Sequence, residues 1–212
     1  PDDRVLEIGP GLGALTVPAA RRVARLLAVD KDPEMLEILG HELAQAGIAN
    51  VELRRADILE VDLAGLAAEV GGPLVVLGNL PYNISTPVIL RLLAAHRAVA
   101  RAVIMLQKEV AQRLAAAPGG RDYGRLSVMV QYRARVATLL DVGAAQFHPR
   151  PKVDSRVVEL VFREQPEWPC RDEALLARVV QAAFQQRRKM LKNALEKSAL
   201  GLPAQRLGAA LE

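Results

Sequence analysis

Short apolar runs alternate with stretches of helical periodicity along the first half of the chain. This rhythm is typical of right-handed βαβ units, in which helices cover both faces of a parallel sheet. The apolar runs predict strands near residues 4–8, 26–30, 51–54, 74–79, 102–106, 126–133 and 156–163. Between the first four strands, the periodicity predicts helices near residues 14–22, 33–46 and 63–69. The pattern therefore indicates an α/β fold with a mainly parallel sheet.

The second half of the chain follows a different pattern. The helices between strands are lost, and two apolar runs, "RLSVMVQYRARV" and "DSRVVELVF", are joined by the proline-rich loop "FHPRPKV". We expect these runs to form an antiparallel pair that closes the sheet. A linker, "REQPEWP", then leads into a mainly helical tail that starts at Arg171. The predicted domains are residues 1–166 for the sheet and residues 167–212 for a small helical domain.

The excess positive charge of the chain lies in this tail. Of the 28 basic and 24 acidic side chains, residues 1–170 hold 20 of each sign. Residues 171–212 hold the remaining eight basic and four acidic side chains. Such an excess can bind a polyanion, although on charge alone a solvated helix face is the commoner reason for it.

Composition excludes several classes of protein. No apolar run approaches the ~20 residues that span a bilayer, so we expect no membrane association. The acidic first residues do not have the pattern of a signal peptide. Cys170 is the single cysteine, which excludes an intramolecular disulfide and favours a reducing, cytoplasmic compartment. The three histidines have no metal-ligand spacing, so we predict no metal site.

A glycine-rich loop follows the first predicted strand. In "VLEIGPGLGALT", Gly9, Gly11 and Gly13 allow positive φ angles and let a ligand approach bare backbone near the start of a helix. The loop also satisfies the dinucleotide fingerprint, so it predicts a nucleotide-like cofactor without identifying it and leaves a nicotinamide-linked oxidoreductase open. Glu7 can reach such a ligand or can cap the loop.

Polar residues also end the next three predicted strands. Asp30, 21 residues after Gly9, can accept hydrogen bonds from both ribose hydroxyls of a cofactor. Asp57 can accept from an adenine amino group, although a helix N-cap is an equally good interpretation. Asn79 ends the fourth strand. Because ligands of open α/β sheets bind at the carboxyl ends of the strands, we expect these groups to converge on one site.

The tetrapeptide Asn79-Leu80-Pro81-Tyr82 suggests the chemistry. Taken alone it can simply close a strand. However, the Asn79 side-chain oxygen and the Leu80 carbonyl are suited to accept both N–H bonds of an exocyclic adenine amine, which frees its lone pair for attack on a methyl group. Pro81 would fix the backbone, and Tyr82 would stack on the flipped base. A nicotinamide enzyme has no evident use for this arrangement.

Together these residues resemble the ribosomal RNA adenine N6-dimethyltransferase family (KsgA-type, with the Erm methylases as relatives). The resemblance runs from Val5 to about Leu195. Besides the tetrapeptide, it includes the segments "MLQKEVAQRL", "YGRLSVMVQ", "FHPRPKVDSRVVEL" and "AAFQQRRKMLKNAL", in the family's order. The last of them is more similar to the KsgA branch, which acts on the small subunit, than to the Erm branch.

The resemblance implies a Rossmann-like methyltransferase sheet with S-adenosylmethionine as methyl donor and a small C-terminal helical domain. The acceptor would be two adjacent adenines in the 3′-terminal hairpin loop of small-subunit rRNA. We expect the partner to be this rRNA, either bare or in an immature 30S particle, and we expect the protein to be a monomer. It implies a catalytic set of Asn79, Leu80, Pro81, Tyr82 and Phe147, with Phe147 clamping the base opposite Tyr82. The implied donor-binding residues are Glu7, Gly9, Gly11, Gly13, Asp30, Lys31, Asp57, Ile58 and Asn79. The implied RNA-binding residues are Arg187, Arg188, Lys189 and Lys192.

The chain departs from the family at both ends. Family members have a further segment before the first strand and a further last helix, so we expect the sequence to be a fragment. Its second-strand acid is Asp30 where Glu is common. Two alternatives remain: Erm-like methylation of large-subunit rRNA, and a non-catalytic protein that binds rRNA or an assembling ribosome.

Overall fold

The computed structural model describes residues 3–186 and 189–201 of the 212-residue chain. Its seven strands are β1 (Arg4–Ile8), β2 (Arg25–Asp30), β3 (Val51–Arg55), β4 (Leu74–Asn79), β5 (Val99–Gln107), β6 (Ala134–Val142) and β7 (Ser155–Phe162). Its helices are α1 (Thr16–Ala20), α2 (Pro33–Gln45), α3 (Leu63–Glu69), α4 (Ser85–Ala94), α5 (Lys108–Ala115), α6 (Arg125–Arg133), α7 (Glu173–Phe184) and α8 (Leu191–Glu196).

The strands form one sheet in the order β3-β2-β1-β4-β5-β7-β6. The five strands from β3 to β5 are parallel, whereas β7 runs antiparallel to both β5 and β6. The α/β fold class that the sequence predicts is therefore confirmed. The chain order reverses between β1 and β4, which makes the carboxyl ends of these two strands the place where a ligand of such a sheet binds.

The central strands are apolar because they are buried on both faces. Consecutive residues of β1 belong to different hydrophobic clusters: Leu6 and Ile8 pack in the larger cluster with α3 and α4, and Val5 packs in the smaller cluster with α2. This two-sided burial follows from the alternation of side chains along a strand. Two separate hydrophobic clusters, one on each face of the sheet, therefore fix the strands whose polar ends form the candidate site.

The region around residues 126–133 differs from the sequence prediction. The predicted strand is the helix α6, and the antiparallel partner of β7 is β6, which starts at Ala134. The expectation that helices are lost between the later strands is also wrong between β5 and β6, where α5 and α6 intervene. A short apolar run does not distinguish a strand from a buried helical turn, and here the Ser127 hydroxyl caps the helix by accepting from Gly124 N at 3.0 Å.

The helices after the linker pack against this unexpected helix. Asp172 caps α7 by accepting from Leu175 N at 2.9 Å, and Glu173 forms an ion pair with Arg133 at the end of α6. The Tyr132 hydroxyl lies 3.2 Å from Cys170 Sγ in the linker. The described part of the tail therefore contains two helices, α7 and α8, the second of which ends at Glu196, whereas the domain boundary at residues 166 and 167 stays a prediction. None of the helices in the described ranges has the length and apolar character needed to cross a bilayer.

We expect Ser127→Ala to destabilise the protein by about 1–3 kcal/mol. The Ser127 side chain is fully buried, accepts from Gly124 N and donates to the Arg113 carbonyl at 2.5 Å, so its loss removes a partner from two backbone groups at the start of α6 and the end of α5. Urea unfolding followed by circular dichroism would measure the loss as a lower midpoint with an unchanged slope. An unchanged midpoint would contradict the role assigned to this hydroxyl.

Candidate active site

The predicted polar strand ends meet at the carboxyl edge of β1, β2 and β4. Ile8, the last residue of β1, is paired with Val29 on one side and with Gly78 on the other. The next residue of each strand is Gly9, Asp30 and Asn79, respectively. Gly9 N also donates to the Val29 carbonyl at 3.0 Å. The structure therefore brings three of the predicted site residues to adjacent positions at the switch point of the sheet.

The three loop glycines have positive φ angles of 65°, 53° and 85° at Gly9, Gly11 and Gly13. A β-carbon at Gly9 or Gly11 would have no atom within 4 Å, so these positions face open space and need glycine for their backbone conformation alone. At Gly13 a β-carbon would lie 2.7 Å from Leu39 Cδ1, so this glycine also allows close packing on α2. Bare backbone at Gly9 and Gly11 leaves the loop accessible to a ligand, as predicted.

Glu7 is the buried carboxylate of the site. It is 1% exposed, and its Oε2 has no hydrogen-bond partner among the described residues. Burial raises the pKa of Glu7 above its usual value, and the nearby Thr16 hydroxyl opposes this shift. That opposition is weak, since Thr16 Oγ1 also lacks a partner in the described part of the chain. A buried acceptor without a partner is costly, and such groups are common where a ligand binds.

The two aspartates predicted to bind the cofactor, Asp30 and Asp57, each accept a hydrogen bond within a turn. Asp30 Oδ1 accepts from Asp32 N at 3.0 Å, and Asp57 Oδ1 accepts from Leu59 N at 2.9 Å. Asp57 does not cap a helix, because α3 begins at Leu63 and its N-cap is Asp62. Both carboxylates are half-buried. Of the two other predicted donor-binding residues that follow them in the sequence, Lys31 is exposed and Ile58 is buried.

The tetrapeptide and the predicted clamp line one cavity. Asn79, Leu80, Pro81 and Tyr82 line a cavity of about 310 Å³. The remaining lining residues come from the loop between β6 and β7, namely Phe147, His148, Pro149 and Pro151. The structure thus places an exposed amide and two half-buried aromatic rings around a space open to solvent. The glycine loop, Asp30 and Asp57 lie along the same edge but do not line this cavity.

The backbone of the tetrapeptide is anchored on both sides. Leu80 is 1% exposed, and its N–H donates to the Met105 carbonyl on β5 at 3.2 Å. Ser85 Oγ donates to the Tyr82 carbonyl at 3.1 Å, and the Tyr82 hydroxyl lies 3.0 Å from Ser155 Oγ at the start of β7. The Leu80 carbonyl and the Tyr82 ring therefore belong to a fixed segment of the chain.

The predicted RNA-binding residues lie elsewhere. Lys189 lines a groove of about 850 Å³ together with Arg113, Arg121 and Arg125. Lys192 is exposed on α8. Arg187 and Arg188 fall outside the described residues. In the described part of the chain, no group of three or more His, Cys, Asp and Glu residues is placed to hold a metal ion.

The sequence analysis does not predict two residues of the site, Gly78 and Ser155. A β-carbon on Gly78 would lie 3.0 Å from the Ile8 carbonyl, so this glycine allows the close approach of β4 and β1 beside Asn79. Ser155 holds the Tyr82 hydroxyl, and it is 1% exposed. Gly78 carries a weak signal, since a glycine inside a strand often marks close backbone approach. Ser155 carries none, because 73 residues separate it from Tyr82.

The chain matches the family model described as "Ribosomal RNA adenine dimethylase" over residues 1–207. Two relatives are named ribosomal RNA small subunit methyltransferase A. The protein from Desulforapulum autotrophicum is 50% identical over 193 residues, which cover 91% of this chain and 67% of the relative. The protein from Geobacter metallireducens is 47% identical over 212 residues, which cover 100% of this chain and 76% of the relative.

Two solved structures are similar over most of the chain. A dimethyladenosine transferase from Plasmodium falciparum has a TM-score of 0.76 at 30% identity, covering 94% of this chain and 69% of that one. The 23S rRNA methyltransferase ErmE has a TM-score of 0.78 at 27% identity, covering 100% of this chain and 81% of that one.

We expect Glu7→Gln to stabilise the ligand-free protein increasingly as the pH rises. The pKa of Glu7 in the folded state is raised above the usual 4.5, so the protonated carboxyl favours folding. The wild type therefore loses stability as the pH rises from about 4.5 through the folded-state pKa, and a glutamine does not. The difference in melting temperature between variant and wild type, measured from pH 4 to pH 8, should grow over that interval. A difference that stays constant with pH would contradict the burial argument.

Proposed function

The chain belongs to the ribosomal RNA adenine dimethylase family, and from this premise we propose that it dimethylates N6 of two adjacent adenines in the 3′-terminal hairpin loop of small-subunit (16S) rRNA. The observation that carries this proposal is the cavity of about 310 Å³. In it, Asn79 to Tyr82 and Phe147 surround a space where a single base can enter. Bases in RNA loops are accessible to such a site because they are unpaired.

Asn79 and Leu80 make the adenine amine nucleophilic in this mechanism. The lone pair of N6 is delocalised into the ring, and accepting both N–H bonds favours a pyramidal nitrogen with a localised lone pair. The Asn79 side-chain oxygen accepts one N–H and the Leu80 carbonyl accepts the other. Because Leu80 is anchored to Met105, the second acceptor needs no rearrangement when the base arrives. The proton of the product ammonium leaves late and needs no dedicated base.

Tyr82 and Phe147 hold the base between them. Stacking on an aromatic side chain stabilises a bound base by about 1–3 kcal/mol, which offsets the loss of stacking within the RNA. The two rings come from different segments of the chain, and both line the cavity. Catalysis then consists mainly of positioning the amine in line with the methyl group.

S-adenosylmethionine, when bound, supplies a methyl group activated by a sulfonium. The glycine loop suits such a cofactor because Gly9 and Gly11 face open space. The buried Glu7 Oε2 has no hydrogen-bond partner within residues 3–186 and 189–201, and a ligand can provide one. We propose that Asp30 accepts from the ribose hydroxyls and that Asp57 accepts from the adenine amine. The other residues proposed to line this donor site are Gly13, Lys31, Ile58 and Asn79.

We propose that the basic groove binds the phosphate backbone of the rRNA. The sequence predicts Lys189 and Lys192 as RNA-binding residues, and the groove that Lys189 lines adds Arg113, Arg121 and Arg125 to this surface. Contacts of this kind position RNA without reading its sequence. We further propose that the substrate is an immature 30S particle in the cytoplasm, and that the protein acts on it as a monomer.

The relatives favour the small subunit over the large one. Those named for the small subunit are 47–50% identical to this chain, compared with 27% for ErmE. The intact tetrapeptide in a cavity with Phe147 also favours an enzyme over a protein that only binds rRNA. A role in ribosome assembly is compatible with the enzyme activity.

We expect Asn79→Ala to lower kcat for methyl transfer by about 100-fold or more, because one of two acceptors that act on the reacting amine is removed. The assay uses labelled S-adenosylmethionine with immature 30S particles, 50S particles and bare rRNA. Dimethyladenine in the small-subunit RNA is the expected product.

Asn83→Ala is the matched control, because Asn83 is exposed, lies four residues away and does not line the cavity. It should retain wild-type activity. Methylation of 50S RNA instead of 30S RNA would favour the Erm-like alternative. Tight binding to the particle without any methyl transfer would contradict the proposed enzyme activity and would indicate a protein that only binds rRNA.

A further inference from the structure

We propose that Asp154 and Ser155 are positioning residues that set the separation of the two aromatic walls around the target base. The inference rests on the proposed function of the cavity. Tyr82 and Phe147 are the walls, and neither belongs to a strand or a helix. A clamp that stacks on both faces of a base needs a defined distance between its two rings. Both rings therefore have to be anchored to a rigid part of the fold.

Ser155 holds the first wall. The Tyr82 hydroxyl lies 3.0 Å from Ser155 Oγ, at the far end of the ring from its backbone. Ser155 is the first residue of β7 and is 1% exposed. Because β7 is paired with both β5 and β6, the serine lies inside the sheet and not at its margin. The hydrogen bond therefore fixes the tilt of a ring whose backbone is held at the end of β4.

Asp154 holds the second wall. Asp154 Oδ1 accepts from Ala144 N at 3.0 Å, which closes the base of the loop between β6 and β7. A short turn then connects Ala144 to Phe147, whose N–H donates to the Ala144 carbonyl at 3.3 Å. The Asp154 carbonyl accepts from Lys108 N at 2.9 Å, which ties the same residue to the end of β5.

Ion pairs at the base of the loop add to this support. Asp141, at the end of β6, accepts from Arg156 Nε at 2.5 Å and lies 3.1 Å from Lys108 Nζ. These two cations lower the pKa of Asp141 to about 2, with Arg156 as the larger cause. The ion pairs are thus present throughout the pH range of an assay. Both aromatic walls therefore depend on consecutive residues, Asp154 and Ser155, at one rigid strand end.

A double-mutant cycle tests the Ser155 part. Ser155→Ala and Tyr82→Phe remove the two partners of one hydrogen bond and leave the ring in place. We expect each to lower kcat about fivefold, which corresponds to about 1 kcal/mol, and the double variant to lower it no further. Binding of S-adenosylhomocysteine, measured by calorimetry, should be unchanged. Thr138→Val is the control, because it removes a hydroxyl from the neighbouring strand β6 and should leave kcat unchanged.

A pair of substitutions at Asp154 tests the loop. Asp154→Asn keeps an oxygen acceptor for Ala144 N, whereas Asp154→Ala removes it. The readout is the fluorescence of 2-aminopurine placed in the RNA where the wild type methylates adenine. We expect the fluorescence change on binding to be retained by Asp154→Asn and lost by Asp154→Ala, with a parallel loss of kcat only in the alanine variant.

Three results would overturn the proposal. Multiplied effects in the double variant would mean that Ser155 does not act through Tyr82. A lower melting temperature with unchanged kcat and unchanged fluorescence would make both residues merely structural. Equal loss in Asp154→Asn and Asp154→Ala would assign the effect to charge and not to the loop anchor. A wild type that methylates no RNA at all is a distinct result, since it refutes the proposed function itself.

Discussion

The site depends on the close parallel pairing of β1 with β2 on one side and β4 on the other. Ile8 lies opposite Val29 and Gly78, and a side chain at Gly78 would press on the Ile8 carbonyl. This pairing brings the glycine loop, Asp30 and Asn79 to one edge, although 70 residues separate Gly9 from Asn79 in the sequence. Two hydrophobic clusters on opposite faces keep the strands in register.

The site has two parts with different physical character. The proposed donor part consists of backbone at Gly9 and Gly11 together with the buried Glu7, whose ionisation opposes folding. The acceptor part is built from a fixed tetrapeptide and a loop of the antiparallel region. Positive φ angles and two buried oxygens without a partner among the described residues, Glu7 Oε2 and Thr16 Oγ1, thus lie in the first part. The second part is stabilised by hydrogen bonds to neighbouring strands. Such a division is expected where one ligand is a flexible cofactor and the other is a flat base.

Sequence reasoning succeeds where a signal is local. The parallel strands have continuous apolar runs because both faces are buried, and the glycines stand where positive φ angles are needed. It fails at α6, whose apolar run is too short to separate helix from strand and whose cap is a hydroxyl contact with Gly124. It also misses Ser155, since its partner Tyr82 is distant in the chain. The candidate binding residues are predicted from local motifs, whereas the residues that hold them in place depend on tertiary contacts.

The position of β7 in the sheet determines the order in which the parts of the site can form during synthesis. β7 follows β6 in the sequence but lies between β5 and β6 in the sheet. A nascent chain that has emerged as far as Gln107 already contains the glycine loop, Asp30, Asp57 and the tetrapeptide. It contains neither Phe147 nor Ser155, so it has no second aromatic wall and no partner for the Tyr82 hydroxyl. Closure of such distant contacts is slow compared with local folding. The cavity proposed to hold the base is therefore completed last, after the parallel half of the sheet has formed.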